Sequence, residues 1–163
     1  MAKRSKVATK QTVQQILDEA MKQILELGYD AMSYSTLSAA TGISRTGISH
    51  HFPHKIDFLQ QLDPRIGELF IDCLDFSNAQ SLQASWKTSL NNTRFRAIIR
   101  LYFSLCGSNQ LNLENYKAIS LASDHAAETL GEPGRLLVSA LVGQSAIRLL
   151  ATPNDSECNL LVS

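Results

Sequence analysis

Residues 41–55 read T-G-I-S-R-T-G-I-S-H-H-F-P-H-K, with two glycines, four hydroxyl residues, three histidines, two cations and no carboxylate. The acid-free run is longer still, from 31 to 56. Such a segment lacks the carboxylates of acid–base catalysis. It is rich in donors and small side chains, which suit phosphates and base edges of double-stranded DNA. Arg45 can pair with guanine or a phosphate, and Thr46 can meet a base edge or a thymine methyl. Gly47 lets the backbone come close. Ser49, His50 and His51 offer further polar contacts, and Lys55 can reach the DNA backbone. Ser44 caps the short helix that carries these groups, and the N–H groups at its start can hold a phosphate. Ser33 and Tyr34, at the start of the preceding short helix, complete the candidate set.

Other chemistries fit less well. His50, His51 and His54 have the spacing of metal ligands, but they straddle Pro53, and Asp57 is the one acid close to them. Ser104, Ser108, Asp124 and His125 could supply a hydrolase, but no nucleophile elbow or glycine-rich phosphate loop accompanies them. No catalytic residue, metal or cofactor is therefore expected. Cys73, Cys106 and Cys158 are odd in number and widely spaced, unlike a disulfide framework or a CxxC site. Cys106 reads as a small buried hydrophobe, with redox sensing as an alternative. A helical adaptor that binds only protein is the main competing function. The absence of salt-dependent DNA binding would favour it, and turnover of an ester or phosphate would favour an enzyme.

A chain of 163 residues, 44% apolar, can bury a proper core. Lys+Arg and Asp+Glu are 15 each, so net charge is silent about partners. The distribution is more informative. Lys3, Arg4, Lys6 and Lys10 form a basic arm without acids, predicted to be disordered in the absence of DNA. There is no apolar leader and no run long enough to span a membrane, so a cytoplasmic protein is expected.

These groups need helices to position them. Val13, Ile16, Leu17, Ala20, Met21, Ile24 and Leu27 follow i, i+3, i+4 spacing, with Thr9 or Thr12 as possible caps and Gly28 as the stop. A short helix is predicted at about 34–41, with Ser33 as its cap, Leu37 and Ala40 facing inward and Gly42 as its stop. A second short helix, about 45–52, is anchored inward by Ile48. A fourth helix follows from about His54 to Phe76, kinked or broken at Pro64. A loop with one short helix is predicted for 77–93, and long helices for 93–107, 112–130 and 133–151. The chain is thus read as all-α, with a three-helix DNA-binding domain over 1–55 and a helical domain over 56–163. Two short helices around a tight turn make a helix-turn-helix, whose second helix enters the major groove.

The first 60 residues resemble the N-terminal domain of the TetR family of bacterial transcription regulators. The resemblance rests on I-L-D-E-A…L-G-Y at 16–29, L-S-A-A-T-G-I-S at 37–44 and H-H-F-P-H-K at 50–55. It implies a homodimer, a larger helical domain for a ligand and for dimerisation, and control of transcription by a small effector. Thr46 stands where the family usually has a small residue, and Ser49 where it usually has a phosphate-contacting aromatic. The chain is short for the family, which implies an abbreviated or missing helix.

In the C-terminal part, Trp86, Phe95, Tyr102, Phe103, Cys106 and Tyr116 are the candidate lining of a pocket for a small hydrophobic or aromatic effector; plain core packing is the alternative. Leu136, Ala140, Gly143 and Ile147 form one stripe of the last helix, with small residues that permit close helix approach. This stripe is the candidate homodimer interface, part of a four-helix bundle across a two-fold axis. The alternative is packing within one subunit. Together these features predict a repressor on a palindromic operator.

Overall fold

The computed structural model describes residues 2–107 and 116–151, and side chains within 7–107 and 116–150. Among the described residues there are eight helices: α1 (Ala2–Glu26), α2 (Tyr34–Thr41), α3 (Arg45–His51), α4 (Ile56–Ile71), α5 (Ala79–Ser89), α6 (Thr93–Cys106), α7 (Ala118–Leu130) and α8 (Glu132–Ala151). The chain is all-α, with a helix-turn-helix in its N-terminal part.

The expected apolar face of α1 is buried through Ile16, Leu17, Ala20, Met21 and Ile24. Leu27 leaves that face, because the helix stops at Glu26 and Gly28 turns the chain at φ 92°. The N-terminal part departs from expectation. Residues 2–11 continue the helix rather than forming a separate arm. The segment A-K-R-S-K-V-A-T-K-Q holds no glycine or proline to stop a helix and several strong helix formers. Thr12 is accordingly no cap; its hydroxyl donates to the Ala8 carbonyl one turn back, at 3.0 Å.

Caps set the next two helices. The Ser33 hydroxyl accepts from the Thr36 N–H, and the Thr36 hydroxyl accepts from the Ser33 N–H, a reciprocal capping box. Gly42, at φ 73°, closes α2 by donating to the Ser38 carbonyl. Leu37 is buried as expected, whereas Ala40 faces solvent. α4 is shorter than predicted at both ends, and it runs unbroken through Pro64. The residue that loses its helical donor there, Gln60, is exposed, so water can serve its carbonyl. The Asp57 carboxylate accepts from the His54 N–H at 2.8 Å and fixes the turn before α4.

α4 connects the two ends of the molecule, packing on α1, α6 and α7. Its Phe70 stacks on Phe95 of α6 with centroids 4.6 Å apart, and Trp86 of α5 stands edge-on to both rings. The Trp86 indole N–H donates to the buried Ser145 hydroxyl of α8 at 2.9 Å. Asp63 of α4 is buried, and its carboxylate accepts from the Lys117 N–H before α7 at 2.7 Å. Burial pushes its pKa up, and that hydrogen bond opposes the rise. Gly131 alone, at φ 70°, separates α7 from α8. The two helices fold back so closely that a Cβ on Gly134 would lie 2.3 Å from the Ala126 carbonyl oxygen. No described helix is long and apolar enough to cross a membrane.

Candidate nucleic-acid interface

α3 is held from below and presents its polar side outward. Ile48 and Phe52 are fully buried, and Phe52 stacks on Phe58 of α4 with centroids 4.4 Å apart. The Tyr34 hydroxyl donates to the Phe52 carbonyl at 2.7 Å, tying the start of α2 to the end of α3. With that face fixed, Arg45, Thr46, Ser49 and His50 are exposed, and His51 is half-buried. The Arg45 guanidinium lies 3.5 Å from the Ser35 hydroxyl of α2, and the residue as a whole is exposed. Ser49 donates to the Thr46 carbonyl at 3.2 Å, while His50 and His51 meet edge-to-face.

Several candidates are partly committed within the chain. The Ser44 hydroxyl accepts from the Gly47 N–H at 3.1 Å, and Ser33 caps α2. Tyr34 is half-buried and spends its hydroxyl on Phe52. Gly47 has a packing reason as well: a Cβ there would lie 3.2 Å from the Ile43 methyl and the Ser44 hydroxyl. Lys55 does not extend into solvent. Its ammonium sits 4.5 Å over the Tyr29 ring and donates to the Asp30 carbonyl at 3.2 Å. The ring face attracts the cation, and burial lowers its pKa. Burial, reinforced by the Asp30 carboxylate, also drives the Tyr29 hydroxyl up to about 12, so that ring stays neutral. Lys10 is exposed on α1. Lys3, Arg4 and Lys6 share its helix, and their side chains lie outside the described residues. Among the described residues no group of three His, Cys, Asp or Glu side chains is placed to hold a metal.

The C-terminal candidates divide. Trp86, Phe95 and Tyr116 are buried, the first two against each other, and the Tyr116 hydroxyl donates to the Ile98 carbonyl at 2.9 Å. Tyr102 and Phe103 are half-buried and pack edge-to-face, while Cys106 is exposed rather than buried. Cys158 and Ser108 lie outside the described residues. On α8, the stripe predicted as an interface faces solvent: Leu136 is 62% and Ile147 72% exposed. Ala140 and Gly143 between them are exposed too, with nothing within 4 Å of a Cβ built on Gly143.

A group the sequence reading missed lies between α1 and α6. Arg96 and Arg100 of α6 line a cleft of about 370 Å³ with Glu26, Tyr29 and Asp30. The sequence signal was a pair of arginines one turn apart, Arg96 and Arg100, in a helix that also carries Arg94.

Comparison with known families agrees with this arrangement. Residues 16–62 match the family described as "Bacterial regulatory proteins, tetR family". Residues 63–149 match the one described as "Tetracycline repressor LuxT C-terminal domain". The first match covers the helix-turn-helix, and the two run without a gap from 16 to 149. No curated protein matches the chain. The chain belongs to the TetR family of bacterial regulators, and it is a DNA-binding transcriptional regulator and not an enzyme.

Proposed function

We propose that this regulator is a repressor that binds a palindromic operator as a homodimer and releases it on binding a small effector. Residues 1–55 form the reading head, and residues 56–163 form the effector and dimerisation domain. The observation that carries the DNA contact is the outward face of α3. Arg45, Thr46, Ser49 and His50 lie on a helix fixed by Ile48 and Phe52, within a run free of acids. Two such helices on a two-fold dimer enter successive major grooves, with half-site centres about 34–36 Å apart. The observation that supports the dimer is the solvent-facing apolar stripe of α8. An effector acts through α4, which touches both ends of the molecule, and it must bind one spacing of the heads better than the other.

Arg45→Ala tests the DNA contact. It should weaken specific binding by about 1–3 kcal/mol, the range of a good side-chain–base pairing. Fluorescence anisotropy on the operator measures it, with circular dichroism to show an unchanged fold. Equal affinity would remove Arg45 from the interface.

The basic start of α1 carries the second test. Replacing Lys3, Arg4, Lys6 and Lys10 by glutamine should weaken binding to all sequences alike. The slope of log affinity against log salt should flatten by about 0.9 for each phosphate no longer neutralised. A slope identical to that of the unmodified protein would show that these cations stay off the DNA.

A further inference from the structure

The cleft between α1 and α6 has charges of opposite sign on facing elements. Arg96 and Arg100 stand on α6, one turn apart, and Glu26 and Asp30 stand at the end of α1 and in the turn after it. Leu25 and Leu101, almost fully buried, and Ala97 supply its apolar lining. At about 370 Å³ it falls in the size range of small-molecule sites. Arg100 is half-buried and forms no ion pair among the described residues.

These groups select a ligand class. A dianion such as phosphate would face two carboxylates, and a simple amine would leave the Arg100 guanidinium without a counter-charge. A zwitterion satisfies both walls. We infer that the cleft binds a free α-amino acid with an apolar side chain. Its carboxylate lies on the forked donors of Arg100, its ammonium beside Glu26 and Asp30, and its side chain on Leu25, Ala97 and Leu101. The same turn has a line to the reading head. Tyr29 and Asp30 border the cleft and also hold the Lys55 ammonium, four residues beyond the end of α3. A ligand that fastens this turn keeps Lys55 away from the DNA backbone and so favours release. That consequence rests on the repressor reading; the binding itself does not.

Calorimetric titration of the full chain with each of the twenty free L-amino acids, without DNA, tests the site. At least one apolar amino acid should bind. Its amide and its N-acetyl derivative should each bind at least about tenfold more weakly, since each lacks one of the two charges that the walls pair with. Arg100→Gln should reduce affinity at least about tenfold, and so should Ala97→Phe, which fills the apolar part; circular dichroism confirms the fold of each. Should no amino acid bind, or should binding survive amidation or Arg100→Gln, the inference is overturned. A protein that binds the amino acid but no DNA would overturn the repressor reading and leave this site standing. With operator present, the amino acid should lower DNA affinity at least about tenfold; an unchanged affinity would overturn the link through Lys55.

Discussion

Gly143→Arg should turn the protein into helical monomers and lower its operator affinity by about two to four orders of magnitude. Within one chain the substitution is harmless, because nothing lies within 4 Å of a Cβ at Gly143 and the position faces solvent. Arginine is also a better helix former than glycine. The damage falls between chains. Packed helices run about 8–10 Å apart, a separation that a long charged side chain at the crossing prevents. Leu136, Ile147 and Leu150 are 62%, 72% and 89% exposed, a strip of apolar surface on one helix that association would remove from water. A monomer has one reading head. It loses the effective concentration that linking two heads supplies, a factor of about 10²–10⁴. Sedimentation follows the first step and a DNA titration the second. A Gly143→Arg protein that stays dimeric at full affinity would place the interface elsewhere.

Phe52→Ala should cost about 3–5 kcal/mol of stability, the range for emptying a packed aromatic site. Phe52 is fully buried, stacks on Phe58 and lies at the joint between α3 and α4. That loss is a large part of the roughly 5–15 kcal/mol that holds a folded protein together. For a chain of this size it corresponds to a fall in Tm of about 6–20 °C. DNA binding should fail with it, because α3 loses its anchor, while α5–α8 remain paired. Tyr34→Phe is a milder companion: it removes the hydroxyl bond to the Phe52 carbonyl and should cost about 0.5–1.5 kcal/mol. A Phe52→Ala protein as stable as the parent would show that the α3–α4 joint is held by other residues.

The elements around α2 and α3 were legible because local chemistry decides them. Ser33 and Ser44 cap, Gly28 and Gly42 turn, and Leu37 and Ile48 are the inward positions of two very short helices. The start of α1 was not legible. A basic segment without breakers can be arm or helix, and the Thr12 hydroxyl can cap or bond one turn back. Ala40 misled because alanine carries too little apolar surface to fix which way it faces. The aromatic residues of α5 and α6 could line a pocket or pack as core, and spacing along the chain does not tell a filled space from a hollow one. Phe70, from a third helix, packs against both Trp86 and Phe95, which also meet each other edge-on. Lys55 and the cleft depended on pairings across 25 residues or more, such as Lys55 with Asp30, which spacing along the chain does not encode.

The central claim is that two copies of α3 read two inverted half-sites. Selecting bound sequences from a random duplex library with the full-length protein tests it most directly. The enriched sequences should hold two inverted copies of one short motif, centred about 10–10.5 bp apart. Arg45→Ala should relax the preference at one base position in each copy. Absence of enrichment, or a single motif without an inverted partner, would contradict it.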